Sequence, residues 1–245
     1  MPYQISYPIF MRLPWQPAAL DPVSTLIEYL ANPLIHLTNL HLNHSEPLIR
    51  FPEDNVRMIH RLVVYWVYGG FLAGILLLVL APLFVNGRPP ALAAAFFCLP
   101  AYMLHQYEEH DNDRFRIFMN RILAGGHDAL TLPAVFIINV PCVWGVIALS
   151  LWLTARVHPG LALIAVYLPL LNAVIHIGQA VVSRGYNPGL VTAIVLFLPV
   201  CSWCLWTIQK SGSGTPLMHA IGAASAFVIH AAIAVTVLRN RRQYA

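Results

Sequence analysis

Charge is what this chain has least of. Only 10% of its 245 residues are Asp, Glu, Lys or Arg, and its mean hydropathy is +0.66. A soluble domain carries roughly 25% charged residues. So few charges cannot cover a water-facing surface on a chain of this length, and lipid is the solvent that the composition implies. Lysine is nearly missing, since 13 of the 14 basic residues are Arg. The formal net charge of +4 is small and scattered, which argues against a nucleic-acid partner. Cysteine is scarce as well: four residues give no disulfide framework, and Cys201-Ser-Trp-Cys204, despite its CxxC spacing, lies inside an apolar run where packing is the expected role. The first 60 residues contain no basic stretch followed by a long apolar run, so no signal peptide is expected. Internal repeats and low-complexity tracts are also missing.

What is present is a series of long apolar runs. A membrane span needs about 20 mostly apolar residues, and six segments qualify: 62–85, 91–109, 131–154, 160–183, 188–208 and 216–238. Turn chemistry separates them, at Asn86-Gly87-Arg88-Pro89-Pro90, Gly125-Gly126, His158-Pro159-Gly160, Asn187-Pro188-Gly189 and Ser211-Gly212-Ser213-Gly214. The expected fold is therefore all-α, a polytopic membrane bundle of about six transmembrane helices over residues 62–240. Residues 1–61 precede it as an interfacial segment, in which Asp21-Pro22 reads as a helix start and Pro33 divides two short amphipathic helices. His36, His41 and His44 in that segment read as interfacial polar residues. Arginine and lysine place both termini in the cytoplasm: eleven lie in the N-terminal segment, the 110–130 and 184 connections and the tail, against three on the opposite side.

Ionisable residues inside a span are costly and need a partner or a function. At a rise of about 1.5 Å per residue, His105 lies roughly 9 Å inside the cytoplasmic end of the second span. On the same basis Asn139 and His176 lie roughly 12 Å, and His230 roughly 13 Å, inside the corresponding ends of their spans. Four helices thus offer ligand or hydrogen-bonding side chains at similar depth. His105, Glu108 and Glu109 are spaced i, i+3 and i, i+4, so they share a helix face, and Tyr102 extends it by a turn. Asn172, His176 and Gln179 form a second stripe. Two carboxylates at a helix C-terminus are disfavoured by the macrodipole and by mutual repulsion, which a bound cation would relieve. The expected ligands are His105, Glu108, Glu109, His176 and His230, holding one or two divalent metal ions, iron in preference to zinc. Asn139 is expected beside them, and Glu108, Asn172 and Tyr102 are the expected catalytic groups. His110, about 140° from His105 around a helix, falls outside this set.

His105-x-x-Glu108-Glu109 resembles the motif that names the HXXEE family of membrane proteins. Asn172-Ala-Val-Ile-His176 looks like that family's second histidine region, and Arg184-Gly-Tyr186-Asn187-Pro188-Gly189, with Thr192-Ala193 and Pro199, like the tract that follows it. The resemblance covers roughly residues 62–240. It implies no reaction, because the family is defined by sequence, but it singles out His105, Glu108, Glu109 and His176.

Three functions compete. The first is a membrane-embedded non-haem iron enzyme that oxidises an apolar or lipid-like small molecule with electrons from a soluble donor, though the eight-histidine pattern of membrane desaturases is missing. The second is an intramembrane hydrolase or transferase in which a glutamate or Zn²⁺ activates water. The Glu-Glu pair is similar to that of the CAAX-protease family, but Arg114 stands one residue too late for that family's Glu-Glu-x-x-x-Arg. The third is a transporter or membrane adaptor, against which stands the lack of a repeat or a Gly-interrupted pair of spans.

Overall fold

The computed structural model describes residues 53–241, with side chains from residue 57. The expected interfacial helices of the N-terminal segment and its three histidines lie outside the described residues. Among the described residues there is no strand. The helices are α1 (Glu53–Val79), α2 (Ala81–Val85), α3 (Pro90–Phe96), α4 (Cys98–His110), α5 (Arg114–Ala124), α6 (Leu132–Arg156), α7 (Ala162–Ser183), α8 (Leu190–Lys210) and α9 (Pro216–Arg241). Five of them, α1, α6, α7 (counted from Pro159), α8 and α9, are long and apolar enough to cross a membrane. The molecule is thus a helical membrane bundle.

The first two expected spans differ in detail. The apolar run 62–85 is not one helix: α1 stops at Val79, and Pro82 sits in the first turn of the short α2 that follows. Proline has no N–H to give to the preceding turn, so the helix breaks ahead of it. At its other end α1 begins at Glu53, because nothing in 53–61 carries turn chemistry. The second expected span, 91–109, is built as α3 and α4 abutting at Phe97. It does not qualify as one long apolar helix, since its last two turns carry His105, Gln106, Glu108, Glu109 and His110.

The hub is α7. Half of its most apolar window is buried, against 17% for α1 and for α9, and it packs on α6, α8 and α9. Small residues make this close packing possible, as expected where lipid supplies no hydrophobic drive between helices. Ala94, Ala95, Cys98, Ala162, Ala165, Ala173 and Ala193 are all buried in the central core. At Gly222 on α9 a Cβ would come within 2.7 Å of the Tyr167 ring and 2.8 Å of the Leu163 carbonyl oxygen, so only glycine lets α9 lie this close to α7. The outer faces carry Leu72, Val79, Trp152, Val182 and Phe227, the side chains a lipid-facing surface calls for.

Two wide turns aim side chains inward. In α6 the helix opens to a π-turn at Ile138–Trp144 around Pro141, and Asn139 Nδ2 donates to the Val135 carbonyl at 2.8 Å. In α8 a second π-turn, Ala193–Phe197, precedes Pro199 and presents Phe197 to α4. Such turns satisfy the backbone around a proline while re-aiming side chains.

Candidate metal centre

The second half of α4 lies against α7 and the start of α8. Its inner face buries His105 and Glu109, one turn apart, at 0% and 4% exposure. The helix ends at His110: Asp111 is extended, and Asn112 and Asp113 follow in the left-handed region with φ 52° and 60°. The helix therefore stops one residue after Glu109, and α5 starts separately at Arg114. From α7, His176 enters the same space, 3% exposed, with its ring edge-on to His105 at 5.1 Å.

Glu109 is the centre of the group. His105 Nε2 lies 3.6 Å from Glu109 Oε2, and His176 Nε2 lies 3.4 Å from Glu109 Oε1. One ligand atom from each of the three residues falls within 4.8 Å of the others. With metal–nitrogen bonds of about 2.0–2.1 Å, two ligands at a tetrahedral angle stand about 3.3–3.4 Å apart. The two histidine-to-carboxylate separations are close to this spacing, and these three residues can hold a metal ion.

Hydrogen bonding explains why the group calls for a cation. His176 Nδ1 faces Asn187 Oδ1 at 2.6 Å, while Asn187 Nδ2 donates to the His176 carbonyl at 2.9 Å. The amide oxygen can only accept, so His176 donates from Nδ1 and turns its Nε2 toward Glu109. His105 Nδ1 lies 2.8 Å from Thr192 Oγ1. That hydroxyl donates its single proton to Glu108 Oε2 at 2.5 Å, so it accepts from His105 Nδ1. His105 Nε2 is buried without a hydrogen-bond partner. Three imidazole nitrogens thus crowd one carboxylate, and two of them, His105 Nε2 and His110 Nε2, are buried without a hydrogen-bond partner. Buried groups left in that state cost about 1–3 kcal/mol each, and a cation removes the cost.

Glu108, expected as a ligand and catalytic group, faces elsewhere. It lies about 100° from Glu109 around the helix, and it accepts from the Val191 and Thr192 amides, at 3.1 and 2.7 Å, and from the Tyr186 and Thr192 hydroxyls, at 2.9 and 2.5 Å. Its oxygens are occupied by the N-terminal turn of α8, whose orphan amides and macrodipole favour an anion. Partial burial and the bond to Glu108 raise the Tyr186 phenol above its ordinary pKa, so it remains a donor.

The remaining expected residues are dispersed. Tyr102 is buried, edge-on to His105 at 5.9 Å, and its hydroxyl accepts from Asn172 Nδ2 at 2.6 Å; the two catalytic candidates hold each other beside the centre. Asn139 is not beside it. Gln106, on another face of α4, donates to Asn139 Oδ1 at 2.8 Å and accepts from Trp144 Nε1 at 2.6 Å, a satisfied link between α4 and α6. Nor is His230 brought into the group: it is half-buried on α9, with Nδ1 on the Ala226 carbonyl of its own helix at 2.8 Å.

Sequence spacing missed His110. Because the helix stops there, its ring turns back between Trp66 and Phe115, each at 5.2 Å. Its Nε2 lies 3.1 Å from Glu109 Oε2 without hydrogen-bond geometry. Asn187 and Thr192 carry no helical spacing that marks them in the sequence, although their types, an amide and a hydroxyl, are those that orient metal-ligating histidines. Gly189 was read as a turn. It has φ +98°, and a Cβ there would stand 2.8 Å from His176 Cε1 and 2.9 Å from His105 Cε1.

The fold and the centre define a class: a helical membrane bundle with a buried His-Glu-His group at the meeting of three helices. Residues 96–204 match the model of a family described as a protein of unknown function with HXXEE motif, so the chain carries the segment to which its motif was likened. The match is narrower than 62–240 and includes His105, Glu108, Glu109, His176, Asn187 and Thr192, but not His230. No curated protein and no solved structure matches the chain.

Proposed function

We propose that this protein is a membrane-embedded metal-dependent enzyme in which His105 Nε2, His176 Nε2 and Glu109 hold one Fe²⁺ ion that oxidises an apolar or lipid-like substrate. The observation that supports this is the pair of imidazoles pinned through Nδ1 whose Nε2 atoms face one buried carboxylate. Two imidazoles and one carboxylate with open positions are the donor set of non-haem Fe(II) oxygenases. The surroundings suit a hydrocarbon: Phe197 lies 4.2 Å from the His105 ring and 5.0 Å from the Tyr102 ring. The bound iron would activate dioxygen. In balance, a C–H bond, O₂, two electrons and two protons give C–OH and water. The electrons come from a soluble donor, and the arginine bias favours a cytoplasmic side for the termini and for the end of α4 that bears the centre, where such a donor is found.

The test is to load the purified protein anaerobically with Fe²⁺, then supply reductant, O₂ and membrane lipid. Oxygen uptake with gain of one oxygen atom by a lipid, both lost in His176→Ala, is the expected result. Zinc makes hydrolases from a His₂Glu set, so a protein that retains zinc, refuses iron and consumes no oxygen would replace oxidation with the hydrolase or transferase reading.

A further inference from the structure

The second glutamate of the motif has its own role. Resting on the metal reading above, we infer that Glu108 acts through Thr192 as the positioning and polarising partner of His105, and is not itself a ligand. The chain of contacts is continuous. Glu108 Oε2 receives both the amide of Thr192 at 2.7 Å and its hydroxyl at 2.5 Å. The same hydroxyl oxygen then receives His105 Nδ1–H at 2.8 Å. Glu108 Oε1 is filled by Tyr186 and Val191, which leaves that carboxylate no oxygen free of donors to offer a metal.

The arrangement does three things at once. It holds His105 in the Nδ1–H tautomer, so that Nε2 is the ligating nitrogen. It places an anion at the far end of an O–H···O⁻ chain, which makes the imidazole more basic toward a cation, as carboxylates do behind metal-bound histidines. It also ties the first turn of α8, and with it Gly189 against both imidazoles, to the helix that carries Glu109. The paired carboxylates are thereby explained without a shared ion. Glu109 faces the cation, while Glu108 faces a helix N-terminus and braces the cation's ligand from behind.

The experiment uses Co²⁺ as the probe on the purified full chain in lipid nanodiscs, with affinity, stoichiometry and visible ligand-field bands as readouts. Thr192→Val is expected to weaken Co²⁺ binding about 10–100-fold and to shift the bands, and Thr192→Ser to restore both. Glu108→Gln is expected to weaken binding and shift the bands in the same sense, with stoichiometry unchanged, whereas Glu109→Gln abolishes binding. Loss of the bound ion in Glu108→Gln would make Glu108 a ligand and overturn the inference alone, as would unchanged affinity and bands in both Thr192→Val and Glu108→Gln. A wild-type chain that binds no Co²⁺ would overturn the metal reading and this inference with it. Nitrogen-15 NMR of labelled histidine in the metal-free wild type needs no variant: a protonated His105 Nδ1 is expected, and a protonated Nε2 overturns the inference.

Discussion

Asn187 grips His176 at two points, taking the Nδ1 proton with its amide oxygen at 2.6 Å and giving its amide nitrogen to the backbone carbonyl of the same residue at 2.9 Å. The amide is wholly buried, so neither contact has a water molecule to replace it. One side chain in the loop between α7 and α8 therefore sets both the ring orientation and the tautomer of a histidine three turns back. Asn187→Leu is expected to lower metal affinity about 10–100-fold. It should also destabilise the bundle by about 1–3 kcal/mol, because the His176 carbonyl and Nδ1 lose their partner. Isothermal titration with Co²⁺ and thermal unfolding in detergent check the two effects separately.

Gly189 is where the loop meets both imidazoles. A methyl group there would need a left-handed backbone, with φ +98°, and would stand 2.8–2.9 Å from carbons of both rings. Gly189→Ala is therefore expected to abolish metal binding while the far-ultraviolet circular dichroism stays helical. Unaltered affinity in that variant would mean that the rings are not held as described.

His230 provides a contrast. Its Nδ1 is bonded within its own helix, and it is not in the group of His105, Glu109 and His176. His230→Ala is expected to bind metal with wild-type stoichiometry and with affinity changed less than about twofold, well inside the 10–100-fold range for ligand supports. Loss of the metal would restore it as a ligand.

The Gln106–Asn139–Trp144 link should behave as architecture. Asn139→Leu leaves Gln106 Nε2 and the Val135 carbonyl without their partners and is expected to cost about 1–3 kcal/mol of stability. Metal stoichiometry should be unchanged. Unfolding measurements paired with metal analysis of the same sample check this.

The contrast between His176 and His230 shows what a sequence can and cannot tell about such a site. The apolar runs located α6, α7, α8 and α9 to within two residues at most ends, because in lipid the length of an apolar run and the helix are nearly the same thing. His105, Glu109 and His176 were legible because their spacing and depth agree. Depth alone is not enough for Asn139 and His230: it fixes height along the bundle but not the angle around each helix axis, and the one bonds Gln106 while the other bonds its own helix. Glu108 was misread for a related reason. Neighbours on a helix are separated by about 100°, and nothing in HxxEE says which of the two carboxylates faces the core and which faces the next helix. His110 was discarded on ideal helix geometry, which ends at that very residue when Asn112 and Asp113 turn left-handed. The supporting roles of Asn187, Thr192 and Gly189 depend on how the loop from α7 to α8 folds back, over 11 residues for Asn187 on His176 and 87 for Thr192 on His105, which no helical spacing encodes.

The most direct measurement is the metal content of the purified wild-type chain beside Glu109→Gln, both confirmed as folded and membrane-inserted. One equivalent of iron per wild-type chain, lost in Glu109→Gln, is what the centre predicts. A wild-type chain that takes up no metal, or a Glu109→Gln variant that retains it in full, would contradict the account.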